Sequence, residues 1–193
     1  MNKKQLILAS KSPRRKELLS LCNIPFKTIA SNTNEYIDES KPLKEEIVRL
    51  AYEKAYSVYV ENKDCIVLGS DTIVVINNKV LGKPKDEEDA VKMLRLLSNN
   101  VHEVITATVF ISSEEIIKNC NVSKVSFNKL SEKDINEYVK SKEPLDKAGS
   151  YGIQGIGGCF INNIDGDYYS IMGLTLNFVY STLNSLKEKY DFI

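Results

Sequence analysis

Residues 6–21 read "LILASKSPRRKELLSL". An apolar run gives way within a few positions to serines, lysine, a proline and paired arginines. Residues 5–9 predict a strand apolar enough to be covered on both faces. Ser12 stands where an N-cap belongs, and Pro13 follows at the first helical position, where its missing N–H costs nothing. A helix is therefore expected to about Cys22. A buried strand handing over directly to a helix is how an α/β fold begins. The same handover admits two functional readings. Ser10, Ser12, Arg14 and Arg15 at a helix start can hold a phosphate; alternatively Ser12 only caps and the arginines face water.

Outward from this stretch, "PFKTIAS" predicts a second strand and residues 32–41 a polar loop. Residues 43–61 place Ile47, Leu50, Ala51, Lys54, Ala55 and Val58 at helical spacing, which predicts a long amphipathic helix. "CIVLG" and "TIVVI" are β-branched strand signals interrupted by Ser70 and Asp71, and "NNKVLG" predicts a tight turn with a short return strand. "DEEDAVKMLRLLS" predicts a helix with Asp86 and Asp89 as a reciprocal cap. "HEVITATVFIS" and "IIKNCNVSKVSFN" predict two long strands, paired antiparallel, and "SEKDINEYVKS" another capped helix. A glycine-dense run, "GSYGIQGIGGCFI", leads to "DGDYY" and a last helix from about Leu174 to Lys189. Strands and helices interleave early and a hairpin follows. The class is therefore α/β, a mixed twisted sheet with flanking helices rather than a doubly wound one, and two lobes around a central cleft fit this pattern.

The chain has 193 residues, enough for one sizeable core. Lys plus Arg and Asp plus Glu are 26 each, so bulk charge offers no attraction to nucleic acid or membrane; a local basic cleft stays open. Cys22, Cys65, Cys120 and Cys159 are scattered without metal-knuckle spacing, which favours a reducing, cytoplasmic compartment. The apolar stretch near the start is too short for a signal peptide, and no run approaches the roughly 18–20 apolar residues of a membrane span.

Asp71, in "VLGSDTIVV", puts a carboxylate between two hydroxyls in an apolar context. Such a charge needs partners or a ligand. A strand aspartate can bind a divalent cation or activate water, both suited to splitting a phosphoanhydride; it can also be a structural turn acid. Lys54 shares a helical face with Leu50, Ala51 and Val58, so its amine must snorkel or meet an anion. Lys83, in "LGKPK", sits where the backbone is locally pinned. His102 is the only histidine, which excludes a His-rich metal site. Gly149, Gly152, Gly155, Gly157 and Gly158 match neither the dinucleotide nor the P-loop spacing. They bring backbone N–H groups to a ligand or make tight turns beside a strand. Gln154 among them has an amide suited to a base edge, and Tyr168 and Tyr169 stack on something or finish a strand.

The ordered segments "LILASKSPRRKELL", "EIVRLAYEKA", "VLGSDTIVV", "LGKPKDEEDAVKML", "HEVITATV" and "EPLDKAGSYGIQGIGGCFI", with "IDGDYYSIMGLTL" after them, closely resemble the Maf family. These are nucleoside triphosphate pyrophosphatases, also described as septum-formation inhibitor proteins. The resemblance implies one Maf-like domain over residues 1–193, with a fold related to the inosine triphosphate pyrophosphatases. It implies cleavage of a nucleoside triphosphate between the α and β phosphates, with Mg²⁺ or Mn²⁺. By the family pattern Asp71 is the proton acceptor, Glu35, Lys54 and Lys83 complete the catalytic set, and Glu35 and Asp71 hold the metal. Ser10, Arg14 and Arg15 correspond to the substrate-binding residues of the first motif. Arg14, Thr72 and Gln154 match the branch acting on dTTP and UTP rather than the 7-methyl-GTP branch. A nucleotide-binding regulator of cell division with little turnover is the rival reading. The substrate is expected to be a nucleoside triphosphate, with no nucleic acid or membrane partner, and the resemblance makes a homodimer plausible. Two departures stand out: Asn99-Asn100 replaces the family's usual Gly-basic pair, and "GLTL" replaces "GLPL", where Thr175 is placed to cap.

Overall fold

The computed structural model describes residues 2–193. In chain order its elements are β1 (Asn2–Lys4), β2 (Leu6–Ala9), α1 (Pro13–Ser20), β3 (Phe26–Ile29), α2 (Leu43–Tyr59), β4 (Ile66–Ile76) and β5 (Lys79–Leu81). There follow α3 (Glu87–Leu97), β6 (Val101–Ile111), β7 (Ile116–Phe127) and α4 (Glu132–Lys140). Short 3₁₀ turns at Glu143–Asp146, Ala148–Ser150 and Ile156–Phe160 lead to β8 (Ile161–Asp165), α5 (Tyr168–Met172), α6 (Leu176–Lys187) and β9 (Tyr190–Phe192). The main sheet has the order β3-β2-β4-β6-β7-β8, with β5 on β4. Pairs β2–β3 and β2–β4 are parallel, while β4–β5 and β7–β8 are antiparallel, so the sheet is mixed and helix-flanked, as the sequence predicts.

The chain divides into two compact units. The described residues of the first are 2–71, 106–121 and 173–193. All four residues of β2 are buried, as are Leu18 and Leu19 of α1 and Ile47, Leu50, Ala51 and Ala55 of α2. Ser12 caps α1 by accepting from the Arg15 N–H, with Pro13 at the helix start. The terminal strands β1 and β9 pair in parallel, Asn2 opposite Tyr190, which nothing local in the sequence announces.

The second unit comprises residues 72–105 and 122–172. Its core joins Val74, Leu94, Val104, Val125, Phe127, Ile135, Tyr138, Tyr151 and Phe160. The predicted hairpin forms between β4 and β5, and both turn residues, Asn77 and Asn78, are left-handed (φ 50° and 59°) as a tight primed turn requires. Ser131 and Asp134 make the reciprocal cap of α4.

Several expectations need correction. Strand β4 runs unbroken through Ser70 and Asp71. At the start of α3, Asp86 accepts from the Asp89 N–H, but the Asp89 carboxylate accepts from the Lys85 N–H rather than closing back on Asp86. Tyr168 and Tyr169 open the short helix α5 instead of ending a strand. Thr175 occupies the N-cap position of α6 without a side-chain cap bond, and its hydroxyl is buried without a hydrogen-bond partner among the described residues. Asn99 keeps the left-handed conformation (φ 57°) that a glycine would take at that position, which asparagine tolerates better than most residues. Asn100 donates to the Leu96 and Ser98 carbonyls and so closes α3.

Candidate active site

Four charged side chains meet in the first unit. Gly69 sets the geometry: a Cβ there would lie 2.5 Å from the Ala51 carbonyl oxygen, so only glycine lets β4 come this close to α2. The close packing carries Lys54, on α2, to Asp71, on β4. The Lys54 Nζ lies 3.0 Å from Asp71 Oδ1 and 2.7 Å from Glu35 Oε1. The lysine is buried while the Glu35 side chain is 60% exposed, so the ammonium meets one carboxylate from inside the fold and one from its surface. Of the two fates open to the Lys54 amine, the structure shows the meeting with anions.

Arg15 approaches Asp71 from α1, its Nη2 3.8 Å from Oδ1, and its Nε donates to the Gly173 carbonyl at 2.8 Å. Burial lowers the Arg15 pKa from the ordinary arginine value, and the charges of Asp71 and Glu35 oppose that shift. Gly173 has φ 119°, outside the range of ordinary L-residues, so its carbonyl can take this position only as glycine. The same carbonyl lies 2.9 Å from the Ser70 hydroxyl, which also reaches the Ala107 carbonyl at 2.8 Å. These contacts explain how a polar pair continues a buried strand: Ser70 is tied to main-chain acceptors and Asp71 faces two cations.

Main-chain donors at the helix start are partly taken. Pro13 has no N–H, and the Arg15 N–H is directed to Ser12 Oγ at 3.4 Å. Ser10 is buried, and its Oγ accepts from the Ser12 N–H at 3.1 Å. Any anion contact at this corner therefore falls chiefly to the side chains, including half-buried Arg14.

Glu35 lies in a stretch, residues 30–42, without helix or strand. Two groups on α2 hold it: Arg49 Nη2 donates to the Tyr36 carbonyl at 2.8 Å, and Glu46 Oε2 accepts from the Asp38 N–H at 3.1 Å. The amphipathic pattern of α2 does not single out Glu46, although it is buried. The only local signal is the pairing of an acid and an arginine three positions apart.

The other expected site residues belong to the second unit. Thr72 follows Asp71 in β4 and is half-buried; Lys83 and Gln154 are exposed. The glycine-rich segment around Gln154 is organised by Glu143, whose carboxylate accepts from Tyr138 Oη at 2.9 Å and from the Ile156 and Gly157 N–H groups at 3.1 and 3.4 Å. Tyr138 Oη accepts in turn from the Gly152 N–H at 3.1 Å. His102 is buried against Tyr151 and Phe127, its Nε2 2.8 Å from the Tyr151 hydroxyl, and burial pushes its pKa down to about 4.

Glu35 and Asp71 converge on one cation position, held here by the Lys54 ammonium. Hard carboxylate oxygens in that number fit Mg²⁺ or Mn²⁺ bound jointly with phosphate oxygens. Among the described residues no group of three or more His, Cys, Asp or Glu side chains could hold a metal by itself. No helix among them is long and apolar enough to cross a membrane.

Comparison with known proteins places these features in a wider set. A family model described as "Maf-like protein" matches residues 5–186. A dTTP/UTP pyrophosphatase of Bacillus velezensis is 48% identical over 185 residues, covering 96% of this chain and 96% of the relative. One from Bacillus cereus strain G9842 is 50% identical over 173 residues, covering 90% and 91%. One from Aquifex aeolicus is 44% identical over 182 residues, covering 94% and 95%.

Proposed function

The chain belongs to the Maf-like protein family, and from that premise we propose that it hydrolyses dTTP and UTP to the nucleoside monophosphate and pyrophosphate. The activity for which its relatives are named supports the substrates. One observation carries the chemistry: Lys54 Nζ lies within 3.0 Å of both Glu35 and Asp71, so two carboxylates and an ammonium share one point.

A triphosphate carries several negative charges, whereas Arg15 and Lys54 are already balanced by Glu35 and Asp71. Further positive charge must accompany the substrate. A divalent cation, Mg²⁺ or Mn²⁺, held by Glu35 and Asp71, would supply it and polarise the phosphoanhydride. Asp71 accepts a proton from water as the water oxygen bonds to the α phosphorus. The bond from that phosphorus to the α–β bridging oxygen breaks, and pyrophosphate leaves. Arg15 and Lys54, with Lys83, neutralise charge on the phosphate oxygens, and Ser10 contributes a phosphate contact. Gly173 and Ser70 fix Arg15 and β4 so that Asp71 is aimed before substrate arrives. Arg14, Thr72 and Gln154 are assigned to base selection. Cys22, Cys65, Cys120 and Cys159 are free thiols, which, with a nucleotide substrate, supports a cytoplasmic location.

Pyrophosphate release from dTTP, UTP, CTP and 7-methyl-GTP with Mn²⁺, measured beside an Asp71→Asn control, tests this reading. Release is expected fastest from dTTP and UTP. No release above the control would favour a nucleotide-binding regulator; preference for 7-methyl-GTP would overturn the base assignment.

A further inference from the structure

Glu35 presents a physical problem. Its carboxylate sits 2.7 Å from Lys54 Nζ although its side chain is 60% exposed and its backbone belongs to neither helix nor strand. One side-chain ion pair, with Lys54 buried and Glu35 open to solvent, does not by itself fix the backbone of a loop of this length against its conformational entropy. The main chain of the segment has ties of its own to α2.

We propose that Glu46 and Arg49 form a clamp on α2 that positions Glu35 for the cation it shares with Asp71. The guanidinium of Arg49 is gripped as a fork: Nε and Nη2 donate to the two oxygens of Glu46, at 3.1 and 2.7 Å, and Nη1 donates to Glu53 at 2.8 Å. Fixed in that way, Nη2 also donates to the Tyr36 carbonyl, one residue after Glu35. Glu46 accepts from the Asp38 N–H, three residues after Glu35. Asp38 then organises the chain beyond it, accepting from the Ser40 N–H and hydroxyl at 3.1 and 2.6 Å. The loop is thus fastened to α2 at two main-chain points close to Glu35.

The register of α2 makes the arrangement work. Glu46 and Arg49 lie one turn apart, and Lys54 follows on the same helix, so a single rigid element sets both the loop that carries Glu35 and the ammonium that Glu35 faces. Glu46 is buried, and the hydrogen bonds from Arg49 and from the Asp38 N–H hold its pKa below the ordinary glutamate value. The pair is planar and bidentate, a geometry lysine cannot reproduce. Neither residue touches the reacting atoms. Both are positioning residues acting through Glu35.

Two measurements test the clamp, and only the second rests on the pyrophosphatase reading. In hydrogen–deuterium exchange, Arg49→Met and Glu46→Gln should each speed exchange over residues 36–40 while the amides of β4 stay protected. Unchanged exchange in that loop would overturn the clamp. In turnover of dTTP with Mn²⁺, Arg49→Met should lower kcat/KM about tenfold, the scale of lost support for a metal ligand, and raise the Mn²⁺ concentration needed for half-maximal rate. Placed on Glu35→Gln, the same substitution should change the rate less than about twofold, because the group it positions is gone. An equal tenfold loss in both backgrounds would overturn the proposal, since a merely structural role acts whether or not Glu35 is present. A wild-type chain that hydrolyses neither dTTP nor UTP would remove the pyrophosphatase reading, and the exchange result would still decide the clamp.

Discussion

The charged cluster of the first unit and the glycine-rich segment of the second each gather around a carboxylate, but they satisfy it with different donors. Asp71 and Glu35 face cations carried by separate elements, Lys54 on α2 and, for Asp71, Arg15 on α1. Glu143 accepts instead from a tyrosine hydroxyl and two main-chain N–H groups. The two neutral main-chain donors cannot be exchanged without unmaking the turn, so Glu143 acts as a structural staple. Ammonium and guanidinium groups on side chains would be free to turn toward phosphate if, as proposed, a metal took over the carboxylates. In the proposed mechanism, reactivity follows from the kind of donor a carboxylate faces, more than from its burial.

That contrast can be broken by substitution. Asp71→Asn keeps the shape of the cluster and removes the proposed proton acceptor; turnover of dTTP should fall about 10³-fold, within the range for a lost general base, with the melting temperature nearly unchanged. An equal loss of stability would make Asp71 a structural acid. Lys54→Met should lower kcat about 10²-fold, the scale of removing one charge-assisted hydrogen bond from the transition state. Survival of turnover with reduced stability would reduce Lys54 to a counter-ion. On the other side, Tyr138→Phe leaves the Gly152 N–H without its acceptor and takes a donor from Glu143. A loss of about 1–3 kcal/mol in denaturant unfolding is expected, with kcat on dTTP changed less than about twofold.

The smallest effect concerns His102. Its folded pKa, about 4, lies below the ordinary 6.5, so the unfolded chain binds the extra proton. Its contribution to stability is complete above pH 6.5 and is lost as pH falls toward 4. Between pH 6.5 and 5.5 this amounts to about 1 kcal/mol. Urea titrations at the two pH values check it, and His102→Phe should remove that part of the slope.

The sequence made legible whatever depends on near neighbours. The Ser12–Pro13 helix start, the Asn77-Asn78 hairpin and the capped start of α4 all formed as expected. The position of Lys54 on an apolar helical face announced that it must snorkel or meet an anion, and Asp71 announced that it needed partners or a ligand. Hidden was whatever depends on distant chain. Strand β4 continues through Ser70 because its acceptors, Ala107 and Gly173, lie far along the sequence. The pairing of β1 with β9 joins opposite ends of the chain. Glu143 carried no local mark of its role, because the N–H groups it binds belong to glycine-segment turns whose form depends on it. Glu46 was hidden for the related reason that its loop partner, Asp38, precedes the helix.

The most direct test of the central claim is hydrolysis of dTTP in ¹⁸O-labelled water, with mass spectrometry of both products. Water activated by Asp71 and attacking the α phosphorus places one labelled oxygen in dTMP and none in pyrophosphate, and the Asp71→Asn chain forms both products about 10³-fold more slowly. Label in pyrophosphate, or labelled orthophosphate, would contradict this account.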